Sequence, residues 1–175
     1  MCIRDRPTRN RQAKALRCLT GCKIYLSYSH RMEPRNLTFR YLEHTADIGV
    51  EVVAPSLRAA FAEAGIALFG IMTDTSDFKP ARSIRITATG HDMKSLLYAW
   101  LEELIYAFDT SRMVLVRIDV EKLSLGPPAI EATGWGETFD PARHEPRTGV
   151  KAVTYHRMQV EESKGRCILR YYVDI

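Results

Sequence analysis

The sequence lacks the long apolar runs that membrane insertion and secretion require. None of its hydrophobic stretches approaches the ~20 residues of a membrane-spanning helix. Its first residues also lack the apolar centre of a signal peptide. We therefore expect a cytoplasmic protein with no membrane partner.

Cysteine is scarce, and so are the motifs of nucleophilic catalysis. Cys167 is the single cysteine after residue 36, while Cys2, Cys18 and Cys22 lie before it. One Cys-x3-Cys pair without a second pair is a weak zinc signal, and no disulfide framework is implied. No serine occupies a nucleophile elbow, and the Gly-rich "GWGETFD" matches neither a phosphate loop nor a dinucleotide fingerprint. The residues therefore give no support to covalent catalysis.

The excess of basic over acidic residues is confined to the start of the chain. Residues 1–36 carry nine Lys/Arg and two Asp/Glu, so the rest has 25 − 9 = 16 basic and 21 − 2 = 19 acidic residues. We expect residues 1–36 to be a basic leader that is disordered or non-native, with Met32 as the native start. A leader that contacts nucleic acid is the alternative. The rest of the chain has no concentrated basic face for RNA.

From residue 37 onward, strand-like and helix-like patterns follow one another. Strand, helix, strand and helix precede four strand-like runs, which predicts one α+β domain over 37–175. Its mixed or antiparallel sheet should pack with two main helices. Ser56 and Asp92 are the predicted N-caps, and Glu102 and Glu103 fall outside the apolar stripe of the second helix, where we expect them to be solvated.

Acidic residues stand at two strand ends that are far apart in the sequence. Asp47 follows Glu43 and His44 in "YLEHTADIGV", and Asp174 precedes the last residue in "YYVDI". Together with the carboxylate of Ile175, the two Asp side chains would offer three hard oxygen donors, which suit Ca²⁺ or Mg²⁺ better than Zn²⁺. The spacing alone supports this site only weakly, since two lone Asp residues at strand ends are usually solvated.

Other polar residues admit both a catalytic and a structural interpretation. Glu43 and His44 could form an acid/base pair, although a lone His beside a strand is more often a hydrogen-bonded structural residue. Glu137 and His144 belong to a loop rich in Pro and polar residues, and Lys151 follows that loop at the start of a strand-like run.

Four sequence blocks over about residues 37–175 resemble the archease family. They are "YLEHTADIGVEV", "LLYAWLEELIYAFD", "GWGETFDPARHEPRTGVKAVTYHRMQV" and "YYVDI", and they occur in the family's order. The resemblance implies a fold related to the strand–helix–strand–strand module. It also implies a protein cofactor, and no enzyme, that assists guanylylation and multiple turnover of the RtcB-type RNA ligase in tRNA splicing. RNA would then be a partner only through the ligase.

The resemblance also assigns roles to individual residues. It implies that Asp47, Asp174 and Ile175 bind a divalent cation, which we expect to be Ca²⁺, with Mg²⁺ or Mn²⁺ as alternatives. Lys151 matches a candidate functional lysine. The motif positions expected to support the metal ligands or to contact the partner are Glu43, His44, Glu137 and His144. The rival hypotheses are a metal-dependent hydrolase that uses Glu43 and His44, and a general chaperone-like binding module.

Overall fold

The structure, a computed structural model, describes residues 38–43 and 47–175. The predictions on the basic leader and on Met32 lie outside the described residues, and so does His44. No helix in the described part of the chain is long and apolar enough to cross a membrane.

The described residues form seven strands and two α-helices, which confirms the predicted α+β class. A single turn of 3-10 helix, Thr75–Asp77, follows the first helix. The main elements, in chain order, are β1 (Thr38–Glu43), β2 (Asp47–Ala54), α1 (Leu57–Met72), β3 (Arg82–Thr89), α2 (Met93–Ser111), β4 (Met113–Leu125), β5 (Pro128–Thr138), β6 (Ala152–Ser163) and β7 (Arg166–Asp174).

The strands form two antiparallel sheets, and both helices contact both of them. One sheet has the order β1-β2-β7-β6 and the other has the order β3-β5-β4. Helix α1 contacts β2, β7 and β4, while α2 contacts β3, β5 and β6. Each sheet therefore buries the face that packs on the helices and leaves its other face to charged residues.

Helix α1 is buried over most of its length because it lies against both sheets. Ser56 is its N-cap, as predicted, and accepts a hydrogen bond from the backbone N–H of Ala59. A Cβ at Gly65 would lie only 2.6 Å from Cδ1 of Ile118 on β4. Glycine at this position therefore lets the helix approach the three-stranded sheet closely.

Helix α2 has the strongest apolar pattern and the most complete cap. The Asp92 side chain accepts from the Ser95 N–H at 2.7 Å, and Ser95 Oγ accepts from the Asp92 N–H at 2.9 Å, which forms a capping box. Glu103 is exposed, as predicted. The prediction for Glu102 was wrong, because its carboxylate accepts a hydrogen bond at 3.0 Å from the backbone N–H of Val153 in β6.

Strand β6 contains a bulge that the strand-like pattern of its sequence did not indicate. Thr154 pairs with Tyr172 and Gln159 pairs with Arg170, so residues 155–158 of β6 stand opposite a single residue of β7. Such an insertion bends a strand and turns side chains away from their regular faces.

Candidate functional site

The two predicted acidic ligands lie directly opposite each other in the four-stranded sheet. Strands β2 and β7 run antiparallel, with Asp47 paired to Asp174 and Ile48 paired to Val173. Val173 faces the core, so the two Asp side chains share the opposite face of the sheet. Directly paired residues on one face have Cβ atoms about 4.5–5.5 Å apart, which brings the two carboxylates together.

Lys151 holds the last two residues of the chain beside this acidic pair. Its backbone N–H donates to the carbonyl oxygen of Asp174 at 2.9 Å. Its ammonium group donates to a backbone oxygen of Ile175 at 2.8 Å. The structure therefore brings together four of the predicted site residues, Asp47, Asp174, Ile175 and Lys151, which we call the acidic corner.

The acidic corner fits a divalent cation by its chemistry. Two carboxylates face each other across neighbouring strands, and the terminal carboxylate of Ile175 adjoins Asp174. Carboxylates this close repel each other unless a positive charge lies among them, and the Lys151 ammonium already contacts one of these oxygens. The described residues contain no group of three or more His, Cys, Asp or Glu side chains that could hold a metal. The proposed donor set has only two such side chains and depends on the terminal carboxylate for its third donor.

Four residues further along the same two strands, a different arrangement of charge occupies the same face. Glu51 pairs with Arg170, and its carboxylate is hydrogen-bonded to Arg170 Nε and, at 2.8 Å, to Arg40 Nε. Burial raises the pKa of Glu51, but the hydrogen bonds and charges of Arg170 and Arg40 outweigh burial and lower it below its ordinary value. We call these three residues the arginine clamp. Nothing in the sequence pattern indicated it, because β1 contributes one arginine and β7 the other.

Glu43 is the last residue of β1, and His44 follows it in the sequence. At the end of β1, the backbone of Glu43 pairs with Ile48, the residue that follows Asp47 in β2. The proposed acid/base pair cannot be assessed further, since His44 is not among the described residues.

Glu137 and His144 form a separate group with aromatic neighbours. The His144 ring is buried and stacks on Phe78, with ring centroids 3.8 Å apart. Its Nδ1 accepts from the Asp140 N–H at 2.9 Å, so the neutral ring carries its proton on Nε2. Nε2 lies 3.3 Å from Glu137 Oε1 without forming a hydrogen bond to it. This arrangement makes the ring a packing residue of the loop.

The same loop satisfies the open end of α1, and sequence reasoning missed this role. The N–H of Arg147 donates to Met72 O at 2.8 Å, and its guanidinium donates to Gly70 O at 3.1 Å and to the Asp74 carboxylate at 2.7 Å. Helix α1 has no basic residue in its last turn, so its terminal carbonyls need donors from elsewhere. The loop 139–150 is thereby fixed to the end of α1, and it leads directly to Lys151.

Comparisons with known proteins agree with this architecture. A family model described as "Archease protein family (MTH1598/TM1083)" matches residues 39–175. The protein archease of Sulfurisphaera tokodaii is 42% identical over 141 residues, covering 78% of this chain and 98% of the relative. The protein archease of Sulfolobus acidocaldarius is 39% identical over 137 residues, with the same coverage of 78% and 98%.

Two solved structures share the fold. The solution structure of Methanobacterium thermoautotrophicum protein 1598 has a TM-score of 0.67 and 34% identity, and the match covers 78% of this chain and 98% of that one. A crystal structure of a Thermotoga maritima archease, described as a possible chaperone, has a TM-score of 0.53 at 18% identity, covering 83% and 98%, and shows the fold alone. On the family model, the identities and the coverage, this chain belongs to the archease family.

Proposed function

We propose that this chain is a metal-binding protein cofactor of an RtcB-type RNA ligase and performs no catalysis of its own. The observation that carries the proposal is the direct pairing of Asp47 with Asp174, beside an Ile175 oxygen held by Lys151. Like charges placed directly opposite in a sheet destabilise it, so their presence favours a functional role. Membership of the archease family supports the same role, because the resemblance of the motifs implies it.

Each residue of the acidic corner has a defined task in this proposal. Lys151 fixes the position of the last two residues through its backbone N–H and its ammonium group. Asp47, Asp174 and the terminal carboxylate of Ile175 would hold the cation, for which Ca²⁺ is the first choice and Mg²⁺ or Mn²⁺ the alternatives. The bound cation would supply the positive charge that keeps these carboxylates together.

The acidic corner would act on the ligase by binding. We infer that it docks near the ligase's nucleotide site, where metal and GTP must be placed correctly before phosphoryl transfer. Docking that is tighter to the guanylylation-competent conformation would increase the population of that conformation. Such a shift requires no reactive group on this chain, and the acidic corner would act on RNA only through the ligase.

A chaperone-like binding module is the second candidate, and the description of the Thermotoga relative as a possible chaperone favours it. In that case, the acidic corner would be an ordinary surface and its removal would leave partner binding intact. A metal-dependent hydrolase that uses Glu43 and His44 would instead turn over a nucleotide or phosphoester without any ligase.

A multiple-turnover ligation assay distinguishes these possibilities. The cognate RtcB-type ligase, GTP and Mn²⁺ would be combined with the full chain or with a version that ends at Val173. The shortened version keeps the pairing of Ile48 with Val173, so we expect it to fold, and circular dichroism would check this. We expect the full chain to stimulate ligation and the shortened version to stimulate it at least tenfold less.

The other outcomes have distinct meanings. Equal stimulation by both versions would remove the acidic corner as the basis of the activity and favour the chaperone-like module. Hydrolysis of GTP by the pure chain, in the absence of ligase and with no stimulation of ligation, would contradict the proposal and favour the hydrolase.

A further inference from the structure

A cavity with a volume of about 370 Å³ lies between the start of α2 and the bulge of β6. It shares no residue with the acidic corner, and its size falls in the range of about 300–1,000 Å³ that is usual for small-molecule sites. Its walls combine aromatic and polar groups, and they include Thr89, His91, Ser95, Tyr98, Ala99 and Tyr155.

Two tyrosines form the aromatic wall of this cavity. Tyr98 of α2 and Tyr155 of β6 stack nearly parallel, with ring centroids 4.3 Å apart and an angle of 12° between their planes. Tyr155 is nevertheless 54% exposed, so much of its surface faces solvent after it has stacked. An exposed aromatic ring with one face packed on a second ring can offer its other face to a flat ligand for stacking.

The bulge of β6 places Tyr155 in this position at a conformational cost. Arg157 has a φ of 56°, in the left-handed region that L side chains rarely adopt, while Met158 is buried and anchors the bulge. Tyr155, His156 and Arg157 are all exposed as a result. Strained bulges with exposed side chains are concentrated at functional sites.

Exposed cationic side chains neighbour the lining residues of the cavity in the sequence, Lys94 before Ser95 and Arg157 after Tyr155. Lys94, His156 and Arg157 are exposed. The two carboxylates beside the cavity are already engaged within the fold: Asp92 accepts from the Ser95 N–H, and Glu102 accepts from the Val153 N–H. Both carboxylates keep their negative charge, so an attached phosphate would have to face Lys94 and Arg157, which can attract an anion.

We propose that this cavity binds a nucleobase, which stacks on Tyr155 while its attached phosphate faces Lys94 and Arg157. Every base has a flat π-face, so stacking on tyrosine tolerates different bases, and the polar groups of Thr89 and His91 can contact the base edge. Residues 37–175 are mildly acidic in total, which argues against an extended basic surface that follows an RNA backbone. The site therefore fits one nucleotide, either free or at an end of a single strand. This inference does not depend on the acidic corner.

Binding measurements with matched tyrosine variants test the site. The probes are GMP, followed by saturation-transfer NMR, and a fluorescein-labelled adenosine hexamer, followed by fluorescence anisotropy, both with the full chain. Tyr155→Ala should weaken binding about tenfold, in line with the loss of one base stack. Tyr155→Phe keeps the ring, and Tyr106→Ala removes a tyrosine on α2 that is 66% exposed and outside the cavity, so both should stay within about twofold of the unmodified chain.

A second variant distinguishes a loss of the binding site from an effect of Tyr155→Ala on folding. Ala99→Leu fills the cavity and leaves both rings in place, and it should also weaken binding about tenfold while thermal unfolding confirms the fold. Competition of GMP with the hexamer would identify a free nucleotide as sufficient, and binding of the hexamer alone would identify the strand as the ligand. Failure of both probes to bind at millimolar concentration would overturn the proposal. So would equal weakening by Tyr155→Ala and Tyr106→Ala, or binding of a proline-rich peptide in place of both probes.

Discussion

The acidic corner and the arginine clamp are each centred on one residue pair of β2 and β7, on the same face of the sheet, but the charges of the two pairs are arranged in opposite ways. At the clamp, Glu51 pairs with Arg170 and is held by a second arginine from β1. At the corner, Asp47 pairs with Asp174. Opposite charges in a cross-strand pair stabilise a sheet, and like charges destabilise it. We propose that this difference separates a structural site from a site whose acidic pair binds a cation.

The largest expected contrast concerns ligase activation. Asp47→Asn should abolish stimulation of an RtcB-type ligase in a multiple-turnover assay, because it removes one of the three oxygen donors. Glu51→Gln is an equally small change four residues further along the same strand, and it should keep at least half of the stimulation. Similar losses in both variants would mean that the acidic corner has no special part in activation.

The second contrast concerns the free energy of unfolding, for which we expect the larger effect from Glu51→Gln. In urea unfolding with EDTA, Glu51→Gln should lower the free energy of unfolding by about 1–2 kcal/mol, because two arginines lose a carboxylate that is only 8% exposed. Asp47→Asn should change it by no more than about 0.5 kcal/mol, because the change also removes like-charge repulsion. A larger loss for Asp47→Asn than for Glu51→Gln would contradict the assignment of structural and functional roles.

The smallest contrast appears in the dependence of stability on pH. The arginines lower the pKa of Glu51 in the folded state below its ordinary value of 4.5. The unfolded state therefore binds more protons in the window just below pH 4.5, and the contribution of Glu51 to stability is present above that window and lost as the pH falls through it. Urea unfolding of Glu51→Gln should show a shallower fall of stability in this pH window than unfolding of the unmodified chain. Some fall should remain, because Asp74 and Asp92, whose pKa values are also lowered, are present in both proteins. Parallel curves for the two proteins would show that the clamp does not act through this carboxylate.

Local patterns predicted the elements of this fold well because they depend on residues close in sequence. Ser56 and Asp92 cap the two helices as expected, since a capping side chain bonds to a backbone N–H only three residues away. The alternation along β2 likewise fixed which residues face the core.

Long-range pairing was not predictable in the same way. A period of two residues says which face a side chain occupies, and it says nothing about which strand lies alongside. The position of β7 between β2 and β6 brings Asp174 to Asp47, a meeting that the residues alone supported only weakly and that the family resemblance implied. The arginine clamp and the cap that Arg147 provides were missed for the same reason, since each depends on a partner from a distant segment. The bulge lies within the hairpin of β6 and β7, and the strand-like pattern of β6 did not indicate it.

The most direct test of the central claim is calorimetric titration of the metal-free chain with Ca²⁺. The unmodified chain and Glu51→Gln should each bind one ion with similar affinity, while Asp47→Asn and the version ending at Val173 should bind it at least tenfold more weakly. Retention of full affinity by Asp47→Asn, or the absence of binding of Ca²⁺, Mg²⁺ and Mn²⁺ to the unmodified chain, would contradict the account of the acidic corner as a metal site.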